Sequence, residues 1–239
     1  MNYAVIAAGS GSRLANGTGV SKPLVELDGR PMLRRLIDIF TRCGAESLAV
    51  IITPSMTEVR RYLEELAPSL PYRLDIVSKL TAGPVFSLCG LLPLIPPGKF
   101  VLTTVDTVFD EDEFREYVGA FTDTPDILMG VTGYVDDEKP LYVDVDGDTD
   151  RITSFSDTPA GAPAYVSGGI YGLDTQSARL ALDRCLDHGQ TRMRDFQCML
   201  LADGCIVRAW KFGTIIDVDR PSDIVAARRF IADSSSTIS

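Results

Sequence analysis

Residues 3–14, Tyr-Ala-Val-Ile-Ala-Ala-Gly-Ser-Gly-Ser-Arg-Leu, decide the fold of this chain. Residues 3–8 form an uninterrupted apolar run, which predicts a short strand buried on both faces. Gly9 and Gly11 end that strand, and glycines let backbone N–H groups come close to a bound phosphate. Because open α/β sheets bind ligands beyond the carboxyl ends of their strands, this loop is the first candidate binding site.

The loop departs from two common phosphate-binding patterns. The dinucleotide-binding pattern G-x-G-x-x-G would need glycine at Leu14, and a Walker A loop would need glycine at Ser21, before Lys22. Leu14, together with the absence of an acidic residue after the second predicted strand, argues against a nicotinamide-dependent oxidoreductase. Arg13 and Lys22 nevertheless put two cations near the loop, which strengthens the expectation that it binds phosphates.

The rest of the first half alternates strands and helices. Strands are predicted at 48–52, 73–77 and 100–105, and helices at 31–43, 55–66 and 110–121, the second opened by a capping box of Ser55 and Glu58. Such alternation predicts a parallel sheet with crossover helices.

Beyond residue 125, strands predominate. Strands are predicted at 127–134, 141–145, 152–155, 165–173, 206–211 and 214–218, and helices at 177–185, 194–202 and 221–231. Asp146-Gly147 indicates a hairpin between two of these strands. We expect a single domain over residues 1–233, with residues 234–239 as a flexible tail.

The composition is that of a folded, acidic protein. Its 239 residues are 45% hydrophobic and 23% charged, and 33 Asp and Glu against 23 Lys and Arg give a net charge of −10. This balance is typical of globular proteins and opposes binding to a polyanion such as nucleic acid.

Histidine and cysteine usage limits the chemistry further. His188, the one histidine, lies in the turn-like sequence Asp187-His188-Gly189, so neither a multi-histidine metal site nor a catalytic triad is expected. The five cysteines form no C-x-x-C pair, and their odd number and apolar neighbours predict buried, reduced thiols. The apolar run 4–8 is too short for a signal peptide, and four prolines interrupt the uncharged segment 80–98, so we expect a cytoplasmic protein without a membrane span.

Three carboxylates are candidates for binding a divalent cation. Asp106 follows the predicted strand 100–105, at the position where a carboxylate is suited to hold a metal ion. Asp217 and Asp219 are two residues apart in an extended segment, so both point to the same side. Capping of a turn or helix is the alternative for Asp106 and Asp219. The acidic series at 144, 146, 148 and 150 lacks the spacing of a calcium loop and is interpreted as a solvated hairpin.

Several of these segments resemble the nucleotidyltransferases with a GT-A-like fold. This family includes the sugar-1-phosphate nucleotidyltransferases, the cytidylyltransferases and the molybdenum-cofactor guanylyltransferases. The resemblance is carried by residues 7–14, by Ser-Lys-Pro-Leu-Val at 21–25 and by Gly-Arg-Pro-Met-Leu-Arg-Arg-Leu-Ile-Asp at 29–38, with weaker matches at 80–83, 104–106, 167–171 and 217–224. It implies a three-layer αβα, Rossmann-like fold with a mixed, mostly parallel sheet, in which residues 1–124 bind the nucleotide and residues 125–233 bind the acceptor.

The resemblance also implies site residues. The catalytic residues would be Arg13, Lys22 and Asp106, with Arg13 on the departing pyrophosphate and Lys22 on the α-phosphate. Mg²⁺ would be held by Asp106 and Asp217, with Asp219 as a substitute. The nucleotide would contact Ala8, Gly9, Gly11, Ser12, Thr81 and Gly83, and the acceptor would contact Gly168, Gly169 and Asp195.

The function implied is Mg²⁺-dependent transfer of NMP from an NTP to a small phosphorylated acceptor, with a sugar 1-phosphate favoured. Such transfer depends on positioning and charge neutralisation, and a phosphate acceptor is already ionised, so the chemistry needs no histidine base. The expected partners are an NTP and this acceptor, with no nucleic acid and no membrane, and a homo-oligomer is left open.

The chain differs from the sugar-1-phosphate members in three places. Residues 155–159 lack the lysine of their Glu-Lys-Pro segment, and Arg192, Arg194 and Lys211 are the candidates to replace it. The loop at 81–84 has no glutamine to indicate a base, and Arg220 stands where the family has threonine.

Three other functions stay open at this point. They are cytidylyl or guanylyl transfer to an alcohol phosphate or a molybdopterin-type acceptor, a GT-A-like glycosyltransferase, and a nucleotide sensor without turnover. A glycosyltransferase would not need Arg13 and Lys22, so the presence of these two cations counts against it.

Overall fold

The computed structural model describes residues 1–9, 19–135, 140–159, 161–162 and 164–236, with side chains described as far as residue 234. Its strands are β1 (Asn2–Ile6), β2 (Glu26–Leu27), β3 (Arg30–Pro31), β4 (Ser47–Ile52), β5 (Arg73–Ser78), β6 (Lys99–Thr104), β7 (Thr107–Phe109), β8 (Ile127–Thr132), β9 (Tyr142–Val145), β10 (Ile152–Ser156), β11 (Tyr165–Asp174), β12 (Val207–Phe212) and β13 (Ile215–Asp217). Its helices are α1 (Met32–Arg42), α2 (Thr57–Leu66), α3 (Pro84–Leu91), α4 (Glu111–Asp123), α5 (Thr175–Asp187), α6 (Met193–Ala202) and α7 (Pro221–Ser236). Single 3₁₀ turns lie at Lys22–Leu24, Ala67–Ser69 and Leu92–Leu94.

Within these described ranges, nine strands form the central sheet. Its main order is β10-β9-β11-β6-β1-β4-β5, with β8 paired to β11 and β12 paired to β8. Strand β1 runs parallel to β4 and β6, and β4 runs parallel to β5. Strand β11 runs antiparallel to β6, β8 and β9. The predicted change from a parallel half to a more antiparallel half is therefore confirmed, and it occurs at β11.

Side chains alternate across the sheet and fill two separate cores. In β1, Tyr3 and Val5 pack with helices α1, α2 and α4, whereas Ala4 and Ile6 pack with α3, α5 and α6. Helices therefore cover both faces of a mixed sheet, which confirms the predicted three-layer αβα architecture.

The start of helix α2 differs from the prediction. Its N-cap is Met56, which makes no side-chain capping bond, so the predicted capping box of Ser55 and Glu58 is wrong. The Ser55 hydroxyl pairs instead with Thr53, 2.9 Å away, and Glu58 accepts a hydrogen bond from the Ser21 hydroxyl. This bond lowers the pKa of Glu58 and ties the segment before Lys22 to the first turn of α2.

Helix α7 is longer than predicted. It continues to Ser236 instead of ending near residue 231, so the predicted tail is helical over 234–236, and 237–239 lie outside the described residues. Its buried residues Ile224 and Ala227 pack in a third apolar cluster with Val108 and Ile216 of β7 and β13. Tertiary packing of this face stabilises the helix in addition to its intrinsic propensity. The serine-rich sequence at the end of the helix gives no sign of this packing.

The position of His188 agrees with the prediction, but the burial of most cysteines does not. The His188 Nδ1 lies 2.7 Å from the Arg184 carbonyl at the end of α5, which is the predicted turn. No described helix is long and apolar enough to cross a membrane. All five thiols are free, but only Cys185 is buried: Cys43, Cys89 and Cys205 are half-buried, and Cys198 is exposed because its position on α6 faces away from the core.

Gly172 of β11 makes a contact that tests the packing of this strand against α4. A β carbon added there would lie 2.7 Å from the Phe121 ring and 2.8 Å from the Tyr117 hydroxyl, which itself donates to the Leu128 carbonyl at 2.8 Å. We expect Gly172→Ala to lower the free energy of unfolding by about 1–3 kcal/mol in urea titrations, through overpacking. The matched control is Gly119→Ala, at an exposed, open position of α4, which should be neutral or stabilising by up to about 1 kcal/mol. Equal effects of the two changes would contradict this packing.

Candidate active site

A tight turn presents Lys22 to the end of the sheet. The Leu24 amide donates to the Ser21 carbonyl at 2.8 Å and the Val25 amide donates to the Lys22 carbonyl at 3.2 Å, forming a 3₁₀ turn with Pro23 in its first positions. Proline fits this position because it has no N–H to satisfy and its φ is already helical. The Lys22 side chain is then buried, with the residue only 7% exposed.

The three predicted carboxylates converge on that lysine. Asp106 follows β6, and the two-stranded ribbon of β7 and β13 pairs Asp217 with Thr107, directly after Asp106. The Val218 amide donates to the Asp106 carbonyl at 3.1 Å, which carries the chain on to Asp219. One carboxylate oxygen from each aspartate lies within 4.8 Å of the others. The predicted grouping of Asp106, Asp217 and Asp219 is therefore what the fold produces.

Lys22 forms ion pairs with two of these carboxylates at once. Its Nζ lies 2.5 Å from Asp106 Oδ2 and 2.5 Å from Asp219 Oδ1. Burial on its own would lower the pKa of Lys22, but the carboxylates of Asp106, Asp217 and Asp219 raise it above its ordinary value. The ammonium is therefore the charged form, held by carboxylates in a partly desolvated site.

Helix capping, the alternative role for Asp219, belongs to another residue. The carboxylate of Asp223 accepts from the Asp219 amide at 2.9 Å and from the Arg220 amide at 2.7 Å at the start of α7. The Asp219 carboxylate contacts Lys22 instead. Asp219 therefore belongs with the cation-binding group.

This carboxylate group fits a magnesium ion in its donor chemistry. Mg²⁺ prefers oxygen ligands and is usually held by one or two carboxylates together with substrate phosphates. Asp217 is exposed, and Asp106 and Asp219 are partly exposed, so the three oxygens can reach a solvated cation.

A cavity of about 340 Å³ lies beside the carboxylates. Its described lining includes Asp217, Asp219 and Arg220, together with Arg192, Met193 and Arg194 at the start of α6. Ligand cavities for small molecules begin at about 300 Å³, so the space suits a molecule of sugar-phosphate size.

Gly168 and Gly169 line this cavity at an irregularity in β11. The register of β11 against β8 shifts between Ser167 and Ile170. Gly169 has φ +72°, and a β carbon there would lie 2.7 Å from the Thr107 hydroxyl and 2.9 Å from the Thr104 hydroxyl. A β carbon at Gly168 would overlap the Ile215 side chain. Both glycines are therefore required by close approach of β11 to the ribbon that carries Asp217.

The basic residues proposed to replace the missing lysine fall in two places. Arg192 and Arg194 line the cavity, whereas Lys211 lies elsewhere and pairs with Asp150 at 2.6 Å. Arg194 also forms an ion pair with Asp157, in the segment where the family lysine was sought. Of the three candidates to replace the family lysine, Lys211 is therefore excluded by its position, and Arg192 and Arg194 remain.

Asp195 is not among the described residues that line the cavity. Its carboxylate accepts from the Arg192 amide at 3.2 Å and from the Arg192 guanidinium, closing a capping box at the start of α6. Asp195 therefore contacts Arg192, which lines the cavity, but does not line the cavity itself.

The loop residues predicted to bind the nucleotide are only partly described. Ala8 and Gly9 follow β1, and Gly9 is exposed, whereas Gly11, Ser12 and Arg13 lie outside the described residues. Gly83 packs against Thr191, where a β carbon would lie 2.6 Å from the Thr191 carbonyl oxygen. The Thr81 hydroxyl lies 2.8 Å from that of Ser87, so it helps to fix the turn that starts α3.

The sequence analysis did not name Gln197 and Tyr171, two buried polar residues of the cavity wall, as site residues. Gln197 of α6 is 1% exposed and donates from Nε2 to the Ser167 hydroxyl at 2.7 Å. Tyr171 of β11 is also buried, and its burial raises its pKa to about 12. Nothing local marks either residue, because a glutamine on a helix and a tyrosine in a strand become site residues only when α6 packs on β11.

Comparisons with known proteins agree with this geometry. Over 112 residues the chain is 26% identical to the 2-aminoethylphosphonate cytidylyltransferase of Lancefieldella rimae, which covers 46% of this chain and 45% of that protein, so the match spans less than half of the relative. The inositol-1-phosphate CTP transferase of T. maritima has the same fold, with a TM-score of 0.76 and 18% identity over 98% of this chain and 95% of that one. A Bacillus anthracis protein assigned as a glucose-1-phosphate thymidylyltransferase has a TM-score of 0.81 and 19% identity over 98% and 96% of the two chains.

The family assignment comes from a match to the model of a protein family. Residues 3–158, well over half of the chain, match the model of the MobA-like NTP transferase domain. This range contains β1, the Lys22 turn and Asp106, and it includes the segments 7–14, 21–25 and 29–38 that carry most of the sequence resemblance. The chain belongs to the MobA-like NTP transferase domain family.

Proposed function

We propose that this protein transfers the NMP group of an NTP to a phosphate or phosphonate oxygen of a small acceptor, with release of pyrophosphate. The observation that carries the proposal is the convergence of Lys22 with Asp106, Asp217 and Asp219 beside a cavity of about 340 Å³. Membership in the NTP transferase family supports the nucleotide as donor.

In this proposal Asp106, Asp217 and Asp219 are the residues that hold Mg²⁺. When bound, the ion would neutralise charge on the nucleotide phosphates and orient them. The oxygens of the three carboxylates lie within 4.8 Å of one another, as ligands of one small cation must.

The transfer itself is an in-line displacement at the α-phosphorus. An ionised acceptor oxygen forms a bond to that phosphorus while the bond to the β-phosphate oxygen breaks, and the electron pair leaves with pyrophosphate. Lys22 stabilises the charge on the α-phosphate, and Arg13 stabilises the leaving pyrophosphate. Because the acceptor is already an anion, no side chain has to remove a proton from it.

Arg192 and Arg194 supply the positive charge for the acceptor in this proposal. Both line the cavity that Asp217 also lines, and an arginine fork matches a phosphate or phosphonate group. The Lancefieldella rimae relative is a 2-aminoethylphosphonate cytidylyltransferase, which supports phosphonates and CTP as the first substrates to test.

Pyrophosphate release tests the function directly. The protein is incubated with Mg²⁺, each of CTP, UTP, GTP, ATP and dTTP, and a panel of sugar 1-phosphates, alcohol phosphates and alkylphosphonates. We expect release that requires one NTP and one acceptor together. Binding of NTP without release in every combination would contradict transfer and would favour a nucleotide sensor.

Asp217→Asn tests the metal-binding role. We expect turnover to fall by at least about 100-fold at a fixed Mg²⁺ concentration, because one anionic ligand is lost. Since Asp217 is exposed, the thermal midpoint should change little. The control is Asp148→Asn, an exposed aspartate of the β9–β10 loop, which should leave turnover unchanged. Full activity in Asp217→Asn would contradict the assignment.

Arg194→Met tests the acceptor side. We expect the KM for the acceptor to rise by roughly 10-fold or more with the KM for NTP unchanged, because a charge-assisted hydrogen bond to the acceptor is lost. The control is Asp157→Asn, which removes the ion-pair partner of Arg194 but keeps the cation and should not raise the acceptor KM. A rise in the KM for NTP instead would place Arg194 on the nucleotide.

A further inference from the structure

We propose that the Lys22 ammonium is the resident counter-ion of the metal-binding carboxylates, and that a divalent cation binds there by displacing it toward the nucleotide. The inference rests on the proposed function, since it takes these carboxylates as the metal ligands. It adds that Lys22 and the metal exchange places, so that metal and nucleotide bind cooperatively.

The geometry does not allow both cations at the same oxygens. Lys22 Nζ lies 2.5 Å from Asp106 Oδ2 and 2.5 Å from Asp219 Oδ1. These oxygens belong to two of the three carboxylates in the metal-binding group. Mg²⁺ needs oxygens at about 2.1 Å in a near-octahedral arrangement. An ion bound to these oxygens would stand within a few ångströms of the ammonium, where like charges repel strongly.

The lysine can leave without unfolding its turn. The backbone of residues 21–25 is held by the turn hydrogen bonds and by the contact of Ser21 with Glu58. The ammonium, however, is carried by a flexible four-carbon chain. Rotation of that chain moves Nζ off the carboxylates while the turn keeps its place.

The exchange couples the metal to the nucleotide. Without nucleotide, the displaced ammonium would lose two ion pairs in a buried position, which is costly, so metal alone should bind weakly. An α-phosphate gives the ammonium a new anionic partner, which removes that cost. Linkage then requires the nucleotide and the metal to strengthen each other's binding.

Metal binding without nucleotide tests the exchange. The affinity for Mn²⁺ is measured by calorimetry for the wild-type protein, for Lys22→Met and for Lys211→Met. We expect Lys22→Met to bind Mn²⁺ at least about 10-fold more tightly than the wild type, because the competing cation is gone. Lys211→Met removes a lysine from the ion pair with Asp150, outside the cavity, and should bind Mn²⁺ as the wild type does. Equal or weaker affinity in Lys22→Met, or no Mn²⁺ binding in any of the three, would overturn the proposal.

A second measurement needs only the wild-type protein, in case Lys22→Met does not fold. An amine-reactive reagent is applied to the protein alone, to the protein with Mn²⁺, and to the protein with Mn²⁺ and a non-hydrolysable NTP analogue. Modification of Lys22 is followed by mass spectrometry. Mn²⁺ alone at saturating concentration should increase the modification of Lys22, because Nζ leaves its buried position, and the analogue should reduce it again. Lys99, which donates to the carbonyls of residues 121 and 122 away from the site, serves as internal reference. An unchanged rate for Lys22 in saturating Mn²⁺ would overturn the exchange.

These results are separable from those for the proposed function. Neither measurement involves acceptor or turnover. An active transferase with unchanged Mn²⁺ affinity in Lys22→Met would overturn only the exchange, whereas tighter Mn²⁺ binding without pyrophosphate release would leave the exchange standing and overturn the transfer.

Discussion

The double ion pair of Lys22 holds the active end of this molecule together. Lys22 is 84 positions from Asp106 and 197 positions from Asp219 in the sequence. The two ion pairs therefore connect the Lys22 turn with the end of β6 and the start of α7. An ammonium this buried would be unfavourable without anionic partners, and three neighbouring carboxylates would repel one another without a cation. The ammonium and the carboxylates therefore stabilise each other in this arrangement.

The surrounding fold serves to bring these charges together. Parallel pairing of β1 with β6 puts the loop after β1 and Asp106 at the same edge of the sheet. The ribbon of β7 and β13 then adds Asp217, and the two glycines of β11 allow that ribbon to approach closely. Arg192 and Arg194 come from the start of α6, which packs on the same face as α3 and α5. In the proposed function, the nucleotide and the acceptor therefore meet beside β11, where the sheet changes direction.

Much of this could be predicted from the sequence because it is encoded locally. The apolar run of β1, the alternation of strands and helices and the spacing of Asp217 and Asp219 are short-range patterns, and each has one simple structural consequence. The joint role of the three aspartates was implied by the resemblance to a known family and not by a local pattern. The resemblance to a known family supplied the role of Lys22.

What could not be predicted depends on tertiary contacts. Strand β13 was predicted, at 214–218, but its partner β7 has three residues, too few for a periodic pattern, although this pairing sets the position of Asp217. The sequence around Ser55 satisfied the rule for a capping box, but Glu58 accepts a hydrogen bond from Ser21, which lies in a turn distant in sequence. Asp195 seemed an acceptor ligand but closes the first turn of α6, while Gln197, two residues further on, reaches the cavity. A long-range partner decided the role of Glu58, whereas the local contact with Arg192 decided that of Asp195.

Anomalous diffraction from crystals grown with Mn²⁺ and a non-hydrolysable NTP analogue tests most directly whether the Lys22–aspartate cluster is the site of nucleotidyl transfer. We expect a manganese peak in coordinating contact with Asp106 and Asp217, and Lys22 Nζ on the α-phosphate instead of between Asp106 and Asp219. A manganese peak away from these aspartates, or a nucleotide bound while Lys22 keeps both of its ion pairs, would contradict it.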